Sequence, residues 1–183
     1  MPIDRSPDRD DLFSILCGSH TQVDIARNLE ILNRERLPDE YPGIIYCGLG
    51  GSAISADLAL NMLKDEIRVP LQVNRNYGLP PWIDSRWPVI LTSYSGNTAE
   101  TLSALEGARK RGCPVVCVTS GGELLQIAER ESLPLVRLPG GYQPRYALYL
   151  MLVALLLLLQ AMGAIPDQET TIDSIRELLA LRG

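Results

Sequence analysis

The sequence predicts an α/β domain in three layers, a doubly wound parallel sheet of five strands between helices. Two observations predict it. Short, nearly continuous aliphatic runs alternate with helical segments of ten or more residues, the pattern of strands buried on both faces and joined by crossover helices. Glycine- and hydroxyl-rich turns follow the first, third and fourth of these runs, at the strand edge where open α/β sheets bind ligands.

In chain order, residues 11–36 carry Leu12, Ile15, Leu16, Val23, Ile25, Ala26, Leu29 and Leu32 at mixed three- and four-residue spacings, with a break near Gly18-Ser19. This reads as a helical N-terminal segment, 1–43, packing on a main domain, 44–183. The first strand is Gly43-Ile44-Ile45-Tyr46-Cys47, delivered into Gly48-Leu49-Gly50-Gly51-Ser52 and a helix over 53–64. A weaker strand covers 70–74 and a loop 75–86. The third strand, 89–93, runs into Ser93-Tyr94-Ser95-Gly96-Asn97-Thr98 and a helix over 98–112, with Gly112 in the usual closing position. A fourth strand, 114–119, turns at Ser120-Gly121-Gly122 into a helix ending at Glu131. A fifth strand, 135–138, a glycine turn, an apolar helix and an amphipathic one, 171–181, complete the order.

The chain has 183 residues, 46% of them apolar and 21% charged, enough for one domain with its own core. Twenty-two acids against seventeen bases give a net charge of −5, a poor footprint for nucleic acid. An anionic ligand would then be held by local dipoles and not by a long-range field. Cys17, Cys47, Cys113 and Cys117 form no C-x-x-C pair, and with one histidine present the sequence predicts no metal site. The opening MPIDRSPDRDD lacks an apolar core for a signal peptide, so a cytoplasmic setting is expected. The unbroken apolar run 147–159 reaches roughly 20 Å as a helix, short of the roughly 30 Å hydrocarbon core. It reads as a helix buried by its own domain and by a second subunit, with no membrane contact. A homodimer burying part of 146–162 is expected.

Two of the glycine turns carry candidate chemistry. A helix start offers free N–H groups and the positive end of a dipole, an anion site before any side chain contributes. Ser93, Ser95 and Thr98 add donors that can close around a phosphate without metal or cofactor. Asn97 with Glu100 three positions on also fits a capping box, which would account for those two residues structurally. Gly48-x-Gly50-x-x-Ala53 matches the dinucleotide fingerprint, a weak signal alone. That reading wants a carboxylate near residue 74, where the chain has Asn74 and Arg75; only Arg75 toward a 2′-phosphate keeps an NADP alternative open.

Four segments together go further: Gly48-Leu49-Gly50-Gly51-Ser52, Ser93 to Thr98 with Glu100-Thr101, Thr119-Ser120-Gly121-Gly122-x-Leu124, and Gln143-Pro144-Arg145-x-Ala147. In this order and spacing the chain resembles, from about Ile44 to Ile165, the N-terminal sugar-isomerase (SIS) domain of the bifunctional phosphoglucose/phosphomannose isomerases. The resemblance implies a flavodoxin-like SIS fold and aldose–ketose isomerisation of 6-phosphosugars, glucose 6-phosphate or mannose 6-phosphate to fructose 6-phosphate. It implies phosphate held by Ser52, Ser93, Ser95 and Thr98, with Gly50 and Gly51 letting backbone approach the sugar. It also implies a catalytic place near C1–C2 for Arg145, where a fixed charge suits an enediolate.

The family's glutamate base, ring-opening histidine and lysine lie in a second SIS domain, and none has a counterpart in this sequence. His20, Glu100 and Glu123 are the local candidates for a base, but helix-start carboxylates mostly serve as caps and His20 reads first as a surface or helix-end residue. The expectation is a domain that binds a sugar phosphate and needs a second domain or chain to turn it over. The alternative is a non-catalytic phosphosugar sensor.

Overall fold

The computed structural model describes residues 11–181; the first ten residues of the expected N-terminal segment and residues 182–183 lie outside the described residues. Two short helices, α1 (Leu12–Cys17) and α2 (His20–Ala26), lead to strand β1 (Ile31–Leu32). Then follow β2 (Ile44–Cys47), α3 (Gly51–Met62), β3 (Leu71–Asn74), β4 (Val89–Ser93) and α4 (Ala99–Arg111). The chain continues through β5 (Val115–Thr119), α5 (Gly122–Arg130), β6 (Leu135–Arg137), a 3₁₀ turn Pro144–Tyr146, α6 (Leu148–Ala161) and α7 (Glu169–Ala180). Strands β2 to β6 and α3 to α7 lie where the aliphatic runs and helical spacings predict, within two residues at each end. Gly112 closes α4 in the left-handed conformation at φ 68°, ψ 26°.

The expected five-stranded parallel sheet is corrected to a mixed sheet of six, in the order β1-β6-β5-β4-β2-β3. The five strands foreseen are mutually parallel. The sixth, β1, pairs antiparallel with β6 through Ile31↔Val136 and Leu32↔Leu135. It falls inside the stretch 11–36 that helical spacing predicts as helix. Leu29 and Leu32 keep the three-residue spacing, but the open edge of β6 offers hydrogen bonds that a two-residue pairing satisfies, and tertiary context overrides local periodicity. Asn33 then takes a left-handed conformation at φ 54° and turns the chain away.

The strands alternate faces, and each face has its own core. Ile44, Tyr46, Ile90, Val116, Val118, Val136 and Leu138 point into one cluster with α2, α3, α6 and α7. Ile45, Cys47, Val89, Leu91, Val115, Cys117 and Leu135 point into the other, under α4 and α5. Helix α6 is apolar all round because it is covered all round: nine of its fourteen residues are buried, Leu150 to Leu156 without interruption. Its cover comes from α3, α2 and the sheet of its own chain. Most of the run is thus covered without a second subunit, and Leu148, Tyr149, Leu157 and Ala161 are left half-buried apolar on it. Among the described residues no helix is long and apolar enough to cross a membrane. Arg27 to Asp173 (2.8 Å) and Arg176 to Asp24 (2.6 Å) tie α2 to α7 at the surface.

Three buried groups make the fold sensitive to alkali. Burial pushes the Cys47 and Cys117 thiols from 9.0 up to about 12, and the Tyr46 phenol from 10.0 up to about 12. The Tyr46 hydroxyl donates to Ser52 O at 2.7 Å, a bond that needs the proton. Raised folded-state values mean that the native chain holds these protons longer than the unfolded one. Their contribution is complete below about pH 9 and falls as pH rises toward 12. The urea midpoint is expected to be flat from pH 7 to 8.5 and to drop steadily above pH 9, with Cys47 and Cys117 unreactive to thiol reagents until it does.

Candidate functional site

Strand order reverses between β2 and β4: the chain goes outward from β2 to β3, then returns to β4, β5 and β6. Crevices at such reversals are where open α/β sheets take ligands. Here the loop after β2 and the loop after β4 part at the strands' carboxyl ends, and the N-termini of α3 and α4 open into the gap. A cleft of about 290 Å³ lies there, lined by Leu49, Gly50, Gly51, Thr98, Gln143, Pro144 and Arg145. That is near the low end of small-molecule sites, roughly 300–1,000 Å³.

Each wall has a local cause. Gly50 precedes α3 at φ 55°, ψ −127°, a conformation open only to glycine, which lets the chain leave β2 and start a helix at once. Gly51 lets the 3₁₀ turn approach: a Cβ there would lie 3.1 Å from Pro144 O and 3.3 Å from Arg145 Cα. The glycine pair thus brings backbone close, as expected of it, but part of that closeness serves the Gln143-Pro144-Arg145 turn.

Two residues that sequence reasoning did not single out hold that turn in place. Gln22 of α2, 1% exposed, donates from Nε2 to Tyr146 O at 2.6 Å and accepts at Oε1 from Leu150 N at 3.3 Å. Tyr94 donates its hydroxyl proton to Pro139 O at 2.8 Å and accepts from Tyr142 N at 3.1 Å. A glutamine on the buried side of α2, beside Val23 and Ala26, was the available signal for the first. Nothing local marks the second, because its partners lie 45 and 48 residues away.

The cleft gathers four of the seven expected residues: Gly50, Gly51, Thr98 and Arg145. Ser93 is one bond behind it, its Oγ 2.7 Å from Thr98 Oγ1 and accepting from Gly96 N at 3.1 Å. Ser95 is exposed on the same loop and accepts from Asn97 N at 3.3 Å. Ser52 is buried in the first turn of α3, its hydroxyl directed to Met151 Sδ at 3.3 Å. Of the hydroxyls, Thr98 alone therefore lines the cleft in this conformation.

The capping box is corrected. Thr98, not Asn97, is the N-cap of α4, and it makes no side-chain cap bond. Asn97 Oδ1 accepts instead from Glu123 N at 2.9 Å, capping the neighbouring helix α5 and locking the loops after β4 and β5 together. That leaves the first N–H groups of α4 without a capping oxygen from its own turn.

Electrostatically the cleft is one-sided. Two helix N-termini and the Arg145 guanidinium face it, and no lining residue is acidic. Arg145 is exposed and makes no ion pair among the described residues. His20, Glu100 and Glu123 do not line the cleft. Arg75, the residue an NADP reading needs, is paired with Asp57, and Asn74 spends its amide on Gly78 O at 2.8 Å. Among the described residues no group of three or more His, Cys, Asp or Glu converges as a metal site.

No protein-family model matches the chain. Sequence similarity over about three quarters of the chain does reach curated proteins. The chain is 39% identical over 137 residues to a bifunctional phosphoglucose/phosphomannose isomerase of Caldicellulosiruptor bescii, covering 75% of this chain and 40% of that one. It is 36% identical over 136 residues to a D-glucosamine-6-phosphate 4-epimerase of Sulfolobus acidocaldarius, covering 73% and 43%. Among solved structures, the C-terminal domain of glucosamine-fructose-6-phosphate aminotransferase from Francisella tularensis superposes with a TM-score of 0.61 at 19% identity, over 90% of this chain and 50% of that one. The Vibrio vulnificus NanR protein, solved with ManNAc-6P, superposes at 0.56 and 18%, over 94% and 72%. The chain thus shares its fold with these structures and spans less than half the length of the curated relatives it matches.

Proposed function

We propose that the chain is a phosphosugar-binding SIS domain, related to the N-terminal half of the bifunctional phosphoglucose/phosphomannose isomerases, that takes a six-carbon sugar 6-phosphate. The observation that carries the reading is the meeting of two helix N-termini and one unpaired arginine around a single cleft at the sheet's reversal point. Helix ends of this kind hold a phosphate by backbone N–H groups and dipole, with Thr98 as the first side-chain donor and Ser93 and Ser95 close enough to join it. Arg145, which lines the same cleft as Thr98, suits the carbonyl end of an open-chain sugar, where an enediolate would develop charge. The named relatives support the class of ligand: the isomerase and the epimerase are named for phosphorylated hexoses or a hexosamine phosphate, and the NanR structure holds ManNAc-6P.

Binding and chemistry separate in this reading. Isomerisation needs a base at C2, and the cleft has none among its lining residues. A positioned base contributes roughly 10²- to 10⁴-fold, so the domain alone binds far better than it turns over. A second SIS domain, in the same chain or another, is the natural source of the base. A sensor without chemistry is the second reading, favoured by the same absence of a carboxylate from the cleft.

Calorimetric titration tests the proposal. Fructose 6-phosphate is expected to give saturable heat and fructose none, while a coupled assay for glucose 6-phosphate formation stays at background. Heat or thermal stabilisation from NADPH, with none from fructose 6-phosphate, would overturn it.

A further inference from the structure

A cavity of about 260 Å³ opens at the other end of the sheet from the cleft, where β5 and β6 begin. The end of α5 creates it. Leu133 N donates to Ala128 O at 2.9 Å and Ser132 N to Glu129 O at 3.3 Å, with Ser132 left-handed at φ 52°, so the helix stops in a Schellman turn. That turn delivers the chain to Pro134, which has no N–H to give a neighbouring strand. The β5–β6 ladder therefore starts only at Cys117, whose N–H donates to Pro134 O at 2.8 Å. Val115, paired on its other side with Val89 of β4, precedes that ladder and lines the gap.

The walls divide by chemistry. Leu105, Cys113, Val115 and Pro134 are buried apolar groups, joined by half-buried Pro114 and Leu133. The polar lining is Arg36, Arg109 and Glu131. Arg36 finishes the helix end: its Nη1 donates to Glu131 O at 2.9 Å and also to Ser132 O. With the two Schellman bonds, the carbonyls of Ala128, Glu129, Glu131 and Ser132 all have donors. Capping of α5 thus accounts for Arg36 but not for Arg109, which reaches from α4 to the Glu131 carboxylate. Nor does it account for Arg130, which approaches the same oxygen at 3.1 Å. Three guanidinium groups around one carboxylate leave positive charge in surplus, in a chain whose net charge is −5.

Surplus guanidinium beside an apolar cavity suits one kind of ligand, an anion whose body is apolar. We infer that this cavity is a second ligand site, for a small carboxylate with a compact aliphatic body. The carboxylate lies against Arg36 and Arg109, whose planar forks match it, and the body packs on Leu105, Val115 and Leu133. At about 30 Å³ per heavy atom the volume takes roughly eight or nine. A sugar phosphate is the wrong ligand here, because its hydroxyls would lose water against walls that return no hydrogen bond. The cavity is separate from the cleft: α4 has its N-cap Thr98 at the one and Leu105 and Arg109 at the other. The inference therefore stands apart from the phosphosugar reading.

Calorimetric titration of the full chain with 4-methylpentanoate tests it. Saturable heat with a dissociation constant of about 1 mM or tighter is expected. Inorganic phosphate and 4-methylpentanol, each carrying half of the match, are expected to bind at least ~10-fold more weakly. Arg36→Gln and Arg109→Gln should each weaken the carboxylate at least ~10-fold with unchanged circular dichroism, and either serves if the other folds poorly. Amide chemical-shift mapping should put the largest changes at Cys113, Val115 and Leu133, with none at Gly50 or Thr98. No saturable heat from 4-methylpentanoate, equal binding of inorganic phosphate, or wild-type affinity in a folded variant would overturn the inference. So would shift changes centred on Gly50 and Thr98, which would place the carboxylate in the cleft.

Discussion

Gly96→Ala is expected to destabilise the protein by about 3 kcal/mol or more, while Gly121→Ala, on the facing loop, stays within about 0.5 kcal/mol of wild type. Gly96 has φ 71°, and a Cβ there would sit 1.7 Å from Gly121 O and 3.0 Å from Thr119 Oγ1. Neither neighbour can move aside, because both belong to the turn from β5 into α5, and Gly96 O accepts from Leu124 N at 3.0 Å. Gly121 is extended at φ 176°, and its Cβ would meet nothing within 4 Å. The two glycines therefore face each other from adjacent loops yet have opposite tolerance. For a chain of this size the Gly96 variant should melt about 6–12 °C lower, read by calorimetry. It should also lose sugar phosphate affinity, since the loop it distorts carries Ser95 and Thr98.

Arg145→Ala is expected to weaken fructose 6-phosphate binding only a few-fold, but to weaken a phosphorylated hydroxamate mimic of the enediolate by roughly 10- to 100-fold. Hydrogen bonds to a charged group are worth about 1.5–3 kcal/mol, and only the mimic presents the developed oxyanion. The neutral carbonyl of the substrate makes a weaker partner. Arg145→Lys should restore little, because a single ammonium on a flexible stem cannot reproduce the planar fork. Equal losses for both ligands, read by calorimetric titration, would move Arg145 from the reactive end to the phosphate end of the site.

Most of the scaffold around these residues was legible in the sequence because it obeys local rules. Aliphatic runs such as 89–93 and 115–119 read as buried parallel strands, and Gly112 read as a helix stop, without any knowledge of partners. The cradle turns were legible for the same reason, since a glycine at a strand-to-helix junction is a local backbone requirement. What was not legible depends on contacts between distant segments. Strand β1 exists because β6 has an open edge about a hundred residues on, paired at Ile31↔Val136 and Leu32↔Leu135. Asn97 reads as a cap for the helix it precedes, and only the packing of two loops directs it to Glu123 instead. The cover of α6 is likewise non-local: a run of leucines announces burial but not by what. The structure assigns that cover to α2 and α3, and so moves the exposed apolar surface to the outer arc of α3.

The central claim is that a sugar phosphate sits on the N-termini of α3 and α4. Amide chemical-shift mapping of isotope-labelled chain with fructose 6-phosphate tests it most directly. The largest changes are predicted at Gly50, Gly51, Ser52, Ser95, Gly96 and Thr98, with smaller ones at Arg145 and Tyr146. Changes centred on the β3 end, at Asn74 and Arg75, or none at all at saturating ligand, would contradict it.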